Sequence, residues 1–71
     1  MKNEELVKKL KKEQDDLEKK LFKLNSFIMD QQDSQTISNH HLDLLKGQSH
    51  AMSEYSEILG MRISDLEEHQ G

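Results

Sequence analysis

Two long stretches of the chain carry apolar residues in alternating steps of three and four, and a polar break divides them. The more informative stretch runs from Ser38 to Glu68. Counting from Leu45, the steps reach Gln48, Met52, Tyr55, Leu59, Arg62 and Leu66. This is the period of a heptad seam on an α-helix. Its a set is apolar (Leu45, Met52, Leu59, Leu66) and its d set is polar (Gln48, Tyr55, Arg62). A flanking column, Leu44, Ala51 and Ile58, widens the stripe toward the band of a core-facing helix.

The first stretch has a seam of Val7, Leu10, Gln14, Leu17, Leu21, Leu24 and Ile28. Leu6 and Phe27 stand in the adjacent column and Phe22 on the other flank. Gln14 is the one polar position in this seam, and such a residue commonly sets register or oligomer state. Asn3 is a candidate N-cap, with Glu4 and Glu5 following where the helix dipole favours acids. Between the stretches, Gln31 to Ile37 loses the period and gathers turn formers. Ser38 is the expected N-cap of the second helix, with Thr36 a rival, and Ile37 with Leu42 would form a hydrophobic staple.

The expectation is an all-α fold of one domain, residues 1–71. Helix 1 would span about 4–30, the loop about 31–37 and helix 2 about 38–68. A connection of this length between helices of about 42–45 Å implies an antiparallel hairpin, coiled-coil-like. One apolar stripe per helix leaves wide flanks wet, so a homo-oligomeric helical bundle is expected. Its core seam is Leu10, Leu17, Leu21, Leu24, Ile28, Leu45, Met52 and Leu59. Gly47 and Gly60 fall inside helix 2, at about 1 kcal/mol each relative to alanine. Either they are tolerated, or they permit close helix approach or leave room for a ligand.

Composition sharpens this picture. A chain of 71 residues with 32% hydrophobic and 34% charged residues buries little and needs a staple. It has no cysteine, so disulfides and thiolate metal sites are excluded and other chains are the staple left. No signal peptide or membrane span is legible. The net charge of −4 is uneven. Residues 1–24 hold eight lysines against six acids, whereas residues 25–71 hold Lys46 and Arg62 against eight acids. That asymmetry favours docking between halves or chains, and it gives no broad basic surface for duplex nucleic acid.

Little catalytic chemistry is expected. His40 and His41 are adjacent, about 100° apart on a helix, and no pair among His40, His41, His50 and His69 has the i, i+4 spacing of helix zinc ligands. No glycine-rich phosphate loop or nucleophile turn is present, so neither an enzyme nor a cofactor is expected. Gln48, Tyr55 and Arg62 remain as ligand-binding candidates. Arginine grips phosphate bidentately, tyrosine offers a flat face and a hydroxyl, and glutamine can read a base edge. Met52 and Met61 would make the neighbourhood adaptable. The structural alternative pairs Arg62 with an acid across the hairpin, caps the core with Tyr55 and sets register with Gln48.

The pattern L-L-x-x-Q-x-x-A-M-x-x-Y-x-x-I-L-x-x-R-I, Leu44 to Ile63, resembles a family of very short phage proteins labelled from an open reading frame of a crAss-like phage. Leu17 to Ile28 resembles the family's opening helix. The chain departs from it at Gly47 and Gly60, where charged residues are usual, and at His40 and His41, where acids are usual. The same pattern is similar, more faintly, to the hairpins of phage anti-CBASS and anti-Thoeris sponges, which hold cyclic nucleotide signals between chains. The resemblance implies an accessory anti-defence protein in the cytoplasm of the infected bacterium. Its partners would be copies of itself and a cyclic di- or trinucleotide. Alternatively it would bind a host defence protein such as a CRISPR nuclease, or be a purely structural hairpin.

Overall fold

The computed structural model of the chain describes residues 2–68, with the side chains described from residue 3 onward. Two helices make up the fold, α1 (Lys2–Asp33) and α2 (Asn39–Glu68). They pack against each other as a hairpin in a rod of 52 × 15 × 13 Å. No helix among the described residues is long and apolar enough to cross a membrane.

α1 buries one stripe of side chains against α2. Val7, Leu10, Leu17 and Ile28 are buried, and Gln14, Leu21 and Leu24 are half-buried. The helix starts at Lys2, so Asn3 lies inside the first turn and is not its cap. It also runs to Asp33, beyond the expected end near residue 30, and the loop narrows to residues 34–38. Gln31 explains the extension. It stands three residues after Ile28, which continues the seam, and it is only 5% exposed. Its Oε1 accepts from the Thr36 N–H at 2.7 Å and the Ile37 N–H at 3.3 Å, and its Nε2 donates to Thr36 Oγ1 at 3.1 Å. One buried amide thus satisfies the backbone of the turn.

Ser38 caps α2 as its sequence position implies, its Oγ accepting from the His41 N–H at 3.1 Å. Ile37 and Leu42, the staple pair, are both half-buried. The side of α2 that meets α1 is rotated from the expected seam. It comprises Leu42, Leu45, Ser49, Met52, Ser56, Leu59, Ile63 and Leu66, all buried or half-buried. Within the a column Leu59 is fully buried, and Leu45, Met52 and Leu66 are half-buried. Its companions lie four residues on (Ser49, Ser56, Ile63) and not three (Gln48, Tyr55, Arg62). Size decides between the columns. Serine is short enough to lie between closely packed helices, whereas Gln, Tyr and Arg reach solvent more cheaply than they fit there.

Gln14 is the pin of the interface. Its Nε2 donates to the Ser56 carbonyl at 2.9 Å, an acceptor that α-helix geometry also assigns to the Gly60 N–H. A Cβ on Gly60 would stand 3.2 Å from that Nε2. Glycine at 60 therefore serves close approach. Gly47 is different, because a Cβ there would meet nothing within 4 Å.

Candidate functional site

The two flanks of the hairpin differ in chemistry. On one flank the helices are joined by polar contacts. Lys11 Nζ meets Glu67 Oε2 at 3.1 Å, Ser56 Oγ donates to Glu18 Oε1 at 3.4 Å, and Ser49 Oγ donates to Asn25 Oδ1. Lys11, Glu18 and Asn25 form one heptad column of α1. The column on the other side of that seam holds Leu6, Glu13, Lys20 and Phe27. It faces the same way as the α2 residues on the far side of the α2 seam from Ser49 and Ser56.

Gln48, Tyr55 and Arg62 lie on this second flank, in one column, each seven residues from the next and so about 10 Å apart along the axis. All three are exposed. Next to them stand Leu44, Ala51 and Ile58, also exposed. Among the described residues Arg62 forms no ion pair and the Tyr55 hydroxyl no hydrogen bond. Gln48 Nε2 approaches only the Met52 sulfur of its own helix, at 3.9 Å. The alternative in which Arg62 pairs across the hairpin thus finds no partner among the described residues.

A single copy does not enclose these groups. An open hollow of about 590 Å³ is lined by Glu57, Gly60, Met61, Ser64, Asp65 and Glu68, and another of about 370 Å³ by Glu18, Leu21, Phe22, Asn25, Ser53 and Ser56. Neither includes Gln48, Tyr55 or Arg62. The acids of the first hollow would repel an anion. At the spacing of the column, a small ligand meets at most two of its members from one copy.

The histidines are spread apart. His40 and His41 are exposed at the start of α2, His50 Nε2 lies 3.1 Å from Glu54 Oε1, and His69 falls outside the described residues. No cluster of three or more His, Asp or Glu that could hold a metal ion occurs among the described residues.

The family model named Sequestin matches residues 4–65. The chain belongs to the Sequestin family. The match takes in most of both helices, the loop and the whole of Leu44 to Ile63, the stretch that carries the resemblance read from the sequence. A family named for sequestration fits that resemblance to sponge-like hairpins, and the name points to binding. No curated protein and no solved structure matches the chain.

Proposed function

We propose that the chain is a phage accessory anti-defence protein that works by binding and not by catalysis. It withdraws a cyclic nucleotide immune signal from the host cytoplasm, at an interface between copies of itself. The observation that carries this reading is the column Gln48, Tyr55 and Arg62: three groups suited to a nucleotide, exposed and uncommitted, on a chain of the Sequestin family. Arg62 takes a phosphate through charge-assisted hydrogen bonds, Tyr55 stacks on a base, and Gln48 orients its edge. A phosphate at Arg62 would replace water around a guanidinium that forms no ion pair among the described residues.

Native mass spectrometry with a panel of cyclic di- and trinucleotides tests it. The expected result is a discrete oligomer gaining whole ligands, with a rise in melting temperature. Arg62→Ala should weaken the best ligand about 10- to 100-fold, the weight of one or two charge-assisted bonds. An oligomer that ignores every nucleotide refutes the reading. It would favour the second one, a protein-binding inhibitor of a host defence enzyme, whose supporting observation is the acidic surface around Glu57, Asp65 and Glu68.

A further inference from the structure

The flank that carries the candidate site also exposes a run of apolar side chains on both helices, while Phe22, Met29 and Met61 are exposed elsewhere. Leu6, Phe27, Leu44, Tyr55 and Ile58 are 39–57% exposed there, with Ala51 among them. The opposite flank is already joined by Lys11–Glu67, Ser56–Glu18 and Ser49–Asn25. The exposed surface of these side chains is on the order of 400 Å² per copy, close to the non-polar share of a standard interface of about 800 Å² per partner. The core of one hairpin is small, with six buried hydrophobic side chains among the described residues and no disulfide to supplement it.

We infer that two copies pair through this flank, face to face and antiparallel, with α1 lying on α1 and α2 on α2. The inference shares its surface with the proposed nucleotide site but needs no ligand. Two features of the charge pattern select the antiparallel arrangement. The open end of the hairpin, residues 2–17 and 54–68, holds ten acids against six bases, while residues 18–53 hold four against four. The whole net charge thus sits at one end, and a parallel pair would stack two such ends. The α1 column on this flank is also self-complementary when reversed. Its order, Leu6, Glu13, Lys20 and Phe27, sets Leu6 against the partner's Phe27 and Glu13 against the partner's Lys20, in both directions. Ile58 and Tyr55 then fall near the two-fold axis, so the column Gln48, Tyr55 and Arg62 of one copy runs beside that of the other. A ligand too short to span that column on one helix can draw groups from both.

Sedimentation equilibrium without nucleotide reads the pairing. The wild-type chain should show a mass that is an even multiple of one chain. Ile58→Glu should weaken association at least 100-fold, whereas Phe22→Glu, on the other flank and 74% exposed, should leave the mass unchanged. A monomeric wild type, or a Phe22→Glu effect as large as that of Ile58→Glu, overturns the proposal. The absence of cysteine permits a direct reading of orientation with otherwise unaltered chains. A mixture of Leu6→Cys and Phe27→Cys chains, treated with a short thiol cross-linker, should give the mixed dimer in preference to either like pair. Predominant Leu6→Cys like pairs would overturn the antiparallel register, and no cross-link at all would place the interface elsewhere. Nucleotide binding that fails while these results hold would remove the ligand reading and leave the dimer.

Discussion

Gly47 and Gly60 look alike in the sequence and differ in what surrounds them. Alanine at 47 meets open space, so Gly47→Ala should stabilise the hairpin by about 1 kcal/mol through helix propensity alone. At 60 the same gain is opposed, because the new Cβ crowds the Gln14 amide and threatens a bond worth about 1 kcal/mol. Gly60→Ala should therefore be close to neutral. In a Gln14→Ala background, where the amide is gone, it should recover the full stabilisation. A double-mutant cycle in urea measures that coupling, and equal gains at 47 and 60 in the wild type would show that the amide contact carries no weight. Gln31 teaches a related lesson. It reads as a turn former beside Gln32 and Asp33, yet it occupies the next seam position after Ile28. Continuing the three-four count would have found it. Its three bonds to Thr36 and Ile37 depend on the path of the loop, which no count shows.

At the level of the helices, the rotation of α2 is the main difference from the reading of the pattern. Both companion columns of the a set are mostly polar, so hydrophobic periodicity alone could not choose between them. Neighbouring residues now make opposite predictions. Ile63→Ala should cost about 2–5 kcal/mol, because Ile63 is buried against α1. Arg62→Ala should stay within about 0.5 kcal/mol, because its side chain is exposed and forms no ion pair among the described residues. Thermal denaturation followed by circular dichroism separates the two, and a larger loss at 62 than at 63 would restore the original seam. Ser38→Ala should remove about 1 kcal/mol by exposing the His41 N–H at the start of α2. The exposed pairs Lys12–Asp16 at 3.5 Å and Asp15–Lys19 at 3.3 Å support α1 only slightly, a few tenths of a kcal/mol each.

On the scale of the whole molecule, the hairpin is a thin rod with a small interior and several large apolar side chains still exposed. Stability of such a chain is linked to its concentration when folding and association are coupled. The melting temperature should rise as protein concentration is raised 100-fold in the absence of ligand, and Ile58→Glu should flatten that dependence. A melting temperature independent of concentration would make the single hairpin the stable unit. The site and the apolar flank coincide because one helix face carries both. Ligand capture and pairing would thus share a surface, and variants at Tyr55 would affect both, which is why Ile58 is the cleaner probe of association.

What the sequence determined by itself is the helical hairpin. The three-four period over two stretches, the absence of proline and the polar break leave few other folds, and the α1 seam and the Ser38 cap are local properties that need no partner to be specified. The a column of α2 was legible for the same reason, since Leu45, Met52, Leu59 and Leu66 repeat every seven residues. Only the tertiary structure decided which way α2 turns from that column, because the choice rests on how closely two helices approach and on the Gln14 amide lying beside a residue without a Cβ. That rotation is what leaves Gln48, Tyr55 and Arg62 outside the hairpin, where a second molecule can meet them. Packing distance is a property of two surfaces together, and neither stretch of sequence contains it alone.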